Sequence, residues 1–329
     1  MIFKILKNNR SYNFILIFVL IVLLGFHSFF KPEEWYFFNG ENQMVLYDLF
    51  LHWVESNTLI KGLFPIVFIF LISLLLLRLN ALFPVIQEKT FLIPNIFVII
   101  LGGFVFLHTI HPVYFGVFFL LFSLNRIFSA CTIDSGGLSC AFYAGFYIGV
   151  GSLFYFPLIF YFFVVWAGLF KIHGKLHGRY FILSMIGTLF PWLMVFSYYF
   201  LTDTLEALNH VLYESFYTSA SYPGIKINYY IYIGFLLLLT VVSGFSLLSH
   251  INSQKVVTRK YYGILFWIFI VSIALFILVP SVSGEILVIM AIPLSFLFSN
   301  FMISIKKEIF GDIILLLFLG QIIWIQIIV

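Results

Sequence analysis

Apolar residues in this chain fall in long unbroken runs, and polar residues gather in short clusters between them. A run of about 18 or more apolar residues is long enough to cross the hydrocarbon layer as a helix. Runs that are apolar all round exclude a closed barrel, whose strands alternate polar and apolar positions. The pattern predicts spans near Asn13–Phe30, Gly62–Leu77, Phe91–His108, Pro112–Leu124, Ala141–Gly151, Phe154–Phe170, Tyr180–Leu201, Asn228–Leu248, Ile264–Pro280, Ile286–Ser304 and Ile313–Ile328. The expected fold is therefore all-α, a polytopic bundle of transmembrane helices.

Composition agrees. With 63% hydrophobic, 21% aromatic and 9% charged residues, the chain carries more apolar surface than one water-facing core can bury. A single integral membrane domain over residues 1–329 is expected, with no linker or short repeat dividing it.

The stretch Ala141–Phe170 is too long for one span and short for two, and charge decides how it crosses. If it goes over and back, one side holds Lys4, Lys7, Arg10, Arg78, Lys89, Arg126, Lys171, Lys175, Arg179, Lys255, Arg259, Lys260, Lys306 and Lys307, leaving Lys31, Lys61 and Lys226 outside. A single crossing would put seven basic residues inside and ten outside, against the tendency of cations to stay cytoplasmic. The hairpin reading gives about 11 crossings, the N-terminus inside and the C-terminus outside. The Ala141–Phe170 pair is expected to be short, tilted or re-entrant around Ser152–Leu153, thinned by Gly145, Gly149 and Gly151 and interrupted by Pro157. The chain is therefore expected to cross its membrane many times. Lys4, Lys7 and Arg10 precede the first run, yet that run is longer than a signal-peptide core and no small-residue cleavage site follows, so it reads as a retained anchor.

The net charge of +4 is accounted for by cytoplasmic loop anchoring and points to no nucleic acid. Cys131 and Cys140 fall on the cytoplasmic side as reduced thiols, with no adjacent ligands for a metal. The Asp134-Ser135-Gly136-Gly137 turn lacks the lysine and Ser/Thr of a phosphate loop.

Candidate chemistry lies in two external loops, 31–61 and 202–227. In the first, Val45, Leu46, Leu49, Phe50, Trp53 and Val54 recur at helical spacing, with Glu41, Asp48, His52 and Glu55 opposite, predicting a helix in the outer interface. In the second, Leu205, Leu208, Val211 and Leu212 form a stripe beside Glu206, His210 and Glu214, which follow at i, i+4 and i+8. Wet faces of interfacial helices need such residues whether or not they bind anything. No metal or other cofactor is assigned. Glu33 and Glu34 emerge directly after the first span, where one of two adjacent carboxylates can have a raised pKa and act as a general base. His108 and His111 flank a tight external turn and read as interfacial anchors, while Asn95 and Asn125-Arg126 are candidate contacts for an anionic headgroup. The span middles are almost free of ionisable residues, which speaks against ion-coupled transport.

The segment Ala144 to Pro157, with Asn80-Ala81-Leu82, Gly178-Arg179-Tyr180, Gly187 and Pro191, resembles a family of polytopic inner-membrane proteins common in Bacteroidota, which has no established activity. More remotely, the order of one span, an acidic external loop with interfacial helices and a Gly-rich hairpin of the form aGxxxGxxxLxxxP is similar to the GT-C glycosyltransferase superfamily. That resemblance implies a transferase acting on a polyprenyl-phosphate sugar in envelope glycan assembly, with Glu33 or Glu34 at the carboxylate position and Asp48 as a second candidate. The chain differs in lacking an Asp-Glu or Asp-x-Asp pair in its first loop and in having only Lys31, Lys61 and Lys226 outside to meet a phosphate. Two other readings remain, a non-enzymatic accessory subunit of an envelope assembly and a lipid or small-molecule transporter.

Overall fold

The computed structural model describes residues 2–7, 10, 12–30, 44–54, 58–131, 137–173, 178–218, 227–305 and 308–328. Among them there are helices and no strands. In chain order the α-helices are α1 (Ile2–Lys7), α2 (Tyr12–Phe30), α3 (Val45–Val54), α4 (Thr58–Leu82), α5 (Leu92–Gly102), α6 (Val113–Ala130), α7 (Gly137–Ser152), α8 (Phe162–His173), α9 (Gly178–Leu201), α10 (Leu205–Tyr217), α11 (Ile227–His250), α12 (Val256–Leu278), α13 (Ile286–Ser304) and α14 (Glu308–Ile328). Each expected span has a helix on it, and α3 and α10 are the two expected short helices. Seven helices, among the described residues, are long and apolar enough to cross a membrane: α4, α6, α9, α11, α12, α13 and α14.

The expected hairpin appears as two short pieces. Helix α7 stops at Ser152, and the chain restarts with a tight 3-10 segment, Phe156–Tyr161, that leads into α8. The amides of Leu153, Phe154 and Tyr155 fold back onto the carbonyls of Val150 and Gly151, closing the turn.

Helix α5 is the buried centre, every residue of it shielded, and α13 is its main partner. A helix apolar on all sides belongs inside. At about 1.5 Å per residue its 11 residues reach only part of the way through a bilayer. The chain breaks at Gly102-Gly103 and continues as a 3-10 turn, Val105–His108. The break leaves carbonyls exposed within the core, and the Tyr232 hydroxyl of α11 donates to two of them, Ile99 O at 3.2 Å and Ile100 O at 3.1 Å. A side chain at Gly103 would overlap the Tyr232 ring, so the hydroxyl reaches its acceptors only because this residue is glycine. Tyr232→Phe is expected to cost about 1–3 kcal/mol, the desolvation of the orphaned carbonyls, read as a lowered thermal midpoint in detergent.

The tightest pair is α7 with α9. Gly145 and Gly149 of α7 lie directly on the Ser184 and Thr188 carbonyls, and Gly187 of α9 lies on the Phe142 carbonyl. Small residues four apart let two helix backbones touch, the usual device where no hydrophobic effect drives association. Thr188 adds a hydrogen bond to Gly145 O at 3.2 Å. On its other side α9 is bare, with Leu193 60% and Leu201 81% exposed, and α11 is bare in the same way. Apolar outsides around an apolar, polar-flecked inside are what a bundle solvated by lipid requires.

Contacts among helix ends sort the bundle into two caps. At one, Lys7 pairs with Glu88 at 2.8 Å, Thr90 Oγ1 donates to Lys7 O, Phe3 N–H donates to Asp312, Lys260 donates to Ile172 O and Arg126 stacks over Tyr143. Arg10, Arg78, Lys89, Lys171, Arg179, Lys255 and Arg259 belong to the same end. At the other end lie Asp48, Asp203, Glu206, Glu214 and Glu285, with Lys61 the one Lys or Arg among the described residues. Among the described residues, the charges on which the hairpin expectation rested thus segregate to opposite ends of the bundle.

Candidate functional site

The acidic cap contains a carboxylate that is almost completely buried. Glu285 is 2% exposed, in the short turn Val279–Glu285 between α12 and α13. Its position follows from local sequence: Pro280 ends the α12 run, Ser281-Val282-Ser283-Gly284 make the turn, and Glu285 sits at the start of α13, where the helix dipole favours negative charge. One oxygen accepts the Ser283 N–H at 2.9 Å and the Tyr155 hydroxyl at 3.2 Å, and the other accepts the Ser283 hydroxyl. Burial nonetheless pushes its pKa above the ordinary carboxylate value, the hydrogen bonds from Ser283 and Tyr155 pulling the other way.

Tyr155 comes from the α7–α8 turn, and on its far side stands His111 from the turn before α6, rings edge to face at 6.1 Å. His111 Nδ1 accepts the Val113 N–H at 3.1 Å, which leaves the proton of the neutral ring on Nε2. Desolvation pushes the imidazole down to about 3, so it is uncharged at neutral pH. Three turns from three parts of the chain therefore bring a carboxylate, a phenol, hydroxyls and a neutral imidazole together at one end of the bundle.

The two short helices lie against these turns. Leu46 N–H of α3 donates to Leu153 O at 3.3 Å, and Tyr47, Phe50 and Val54 face inward, Phe50 meeting Phe64 and Phe115 at 5.3 and 5.0 Å. Ser281 Oγ donates to Ser215 O of α10 at 2.6 Å, and Ser215 Oγ reaches Met44 Sδ, just before α3, at 3.4 Å. Phe216 of α10 packs over Phe156 and Phe160.

Of the expected site residues, Glu33 and Glu34 lie outside the described residues, as do Glu41 and Glu55. Asp48 is at the right end but is exposed, 3.9 Å from His52 on the same helix face, and is not part of the Glu285 cluster. Glu206 is exposed; His210 Nδ1 is 3.4 Å from Glu214 Oε1, and among the described residues no group of three potential ligands could hold a metal.

Some expectations need correction. On α3 the apolar side divides, Tyr47, Phe50 and Val54 toward the bundle and Leu49 and Trp53, 71% and 72% exposed, away from it. His108 is not an interfacial anchor, being 6% exposed beside Gly25, while His111 is half-buried with its ring against Tyr155. Asn95 is wholly buried, its amide bonded to Phe91 O, and so does not face a headgroup. Glu285 was missed. Its only signal in the sequence is a lone carboxylate in a seven-residue turn with no cation nearby.

Compared with protein-family models, curated proteins and solved structures, the chain matches none.

Proposed function

We propose that this is a multi-pass inner-membrane protein of about 11 crossings, its basic cap cytoplasmic and its acidic cap outward, that works on a lipid-linked substrate at the outer cap. Segregation of the cations supports the orientation. The reaction that best suits the outer cap is transfer of a sugar from a polyprenyl phosphate, the activity implied by the GT-C resemblance. In it the acceptor hydroxyl gives its proton to a carboxylate, its oxygen bonds to the anomeric carbon, and the bond from that carbon to the phosphate oxygen breaks, releasing the lipid phosphate.

The observation that carries this reading is the buried Glu285. A carboxylate whose pKa is raised by desolvation is a stronger base than a solvated one when ionised, and Tyr155 and Ser283 fix its orientation. We assign it the role of base, with Asp48, exposed on α3, and Glu33 and Glu34, outside the described residues, as the further carboxylates of the first external loop. Lys61, with Lys31 and Lys226 outside the described residues, is the cation on this side for a phosphate.

The test is turnover of a polyprenyl-phosphate sugar by the protein in nanodiscs, followed as released lipid phosphate. Glu285→Gln is expected to lower the rate at least about 100-fold with the fold intact, the scale of general-base catalysis. Asp48→Asn is expected to lower it less. Full activity in Glu285→Gln with loss in Asp48→Asn would move the base to the first loop. No turnover by the wild type with any such donor would leave the accessory reading in its place.

A further inference from the structure

Glu285 is closed off, so any substrate needs a way in. The hydrogen bonds around it form a circuit: Glu285 to Tyr155 of the α7–α8 turn, Leu153 of that turn to Leu46 of α3, Met44 before α3 to Ser215 of α10, and Ser215 to Ser281 beside Glu285. Each link joins a different pair of segments, and both short helices are in it.

The helices are suited to move. Each presents one apolar face to the bundle and large apolar groups outward, Leu49 and Trp53 on α3, Tyr213 and Tyr217 on α10, as helices lying in a membrane interface do. Outside the circuit α3 is held by apolar packing of Tyr47 and Phe50 on Phe115 and Phe64 and by buried Val54, contacts that survive sliding better than directed hydrogen bonds. The joint between α9 and α10 is a tight turn on Asp203, whose φ of 53° puts it in the left-handed region. Thr204 N–H bonds back to Tyr199 O at 3.0 Å, and the Thr202 and Thr204 hydroxyls meet at 2.7 Å, so the turn is a defined pivot.

We propose that α3 and α10 are one lid, latched shut over Glu285 by the Ser281–Glu285 turn and released as a unit. It admits a substrate with a polar group for Glu285 and an apolar remainder that stays in the interface. This latch requires no particular reaction, so its test and the turnover assay fail separately.

Hydrogen exchange of the full chain in nanodiscs reads it. Ser281→Ala removes one link on the α10 side, and Tyr155→Phe removes one on the α3 side. Each is expected to speed exchange about tenfold in both α3 and α10, as loss of one buried hydrogen bond does, while α5 and α13 keep their protection. Faster exchange in α10 alone for the first variant and in α3 alone for the second would show two independent helices. Unchanged exchange in both variants would show that nothing is latched. Either result overturns the proposal. Should one variant fail to fold, loss of protection in α5 will show it and the other variant decides.

Discussion

Leucine at Gly145 is expected to abolish the folded protein, and alanine there to cost about 3 kcal/mol, the upper range of overpacking penalties. The reason is that a Cβ at this position overlaps the Ser184 carbonyl, part of a helix backbone that cannot turn aside as a side chain can. Gly187→Ala should behave alike from the other helix, against the Phe142 carbonyl. Gly234→Ala, with nothing within 4 Å of its added methyl, is the control and should leave stability unchanged or slightly raised. Thermal unfolding in detergent, followed by size-exclusion recovery, orders the three. A Gly145→Ala protein as stable as the Gly234→Ala one would contradict the backbone contact.

Gly145 and Gly149 were legible as thinning one arm of the hairpin. Their contact with α9 through Gly187 was not, because nothing in the sequence pairs those two helices. Helix positions were legible because long apolar runs form helices, and the helices that lie on the expected runs follow them to within a few residues at most ends. The wet and dry faces of α3 were half legible. Periodicity separates apolar from polar positions and so predicts an interfacial helix, but it does not distinguish bundle from lipid, and the division of the stripe into Phe50 and Val54 inward and Leu49 and Trp53 outward was not legible. The Glu285 cluster was not legible, because its members are 130 residues apart in sequence and become neighbours only when three turns meet.

Substitution at Glu285 is expected to have the second largest effect, and one that depends on pH. Glu285→Ala strands the Tyr155 hydroxyl, the Ser283 hydroxyl and the Ser283 N–H in a buried site, costing about 3 kcal/mol or more. Glu285→Gln keeps the shape and an acceptor, and isolates the charge. A carboxyl whose pKa is raised on folding contributes stability that is complete below the unfolded value near 4.5 and is lost as pH rises through the folded value. The stability of the wild type minus that of Glu285→Gln should therefore fall as pH rises above about 4.5, and level off beyond the folded pKa.

His111 titrates with the opposite sign. Its depressed pKa gives stability above about 6.5 that is lost as pH falls toward about 3. It is common to both proteins, so the difference cancels it. A difference that rises with pH would mean that the hydrogen bonds from Ser283 and Tyr155 outweigh burial and that Glu285 is an ordinary anion.

The proposed outward placement of the acidic cap underlies the proposed chemistry, and the two ends of α9 test it most directly. Single cysteines are introduced as Thr202→Cys or Arg179→Cys, both exposed, in a chain whose Cys131 and Cys140 are replaced by alanine. Intact cells with permeable outer membranes are then treated with a maleimide that cannot cross the inner membrane. Labelling at position 202 with protection at 179 until the cells are lysed is the expected result. Labelling at 179 with protection at 202 would contradict it and turn Glu285 toward the cytoplasm.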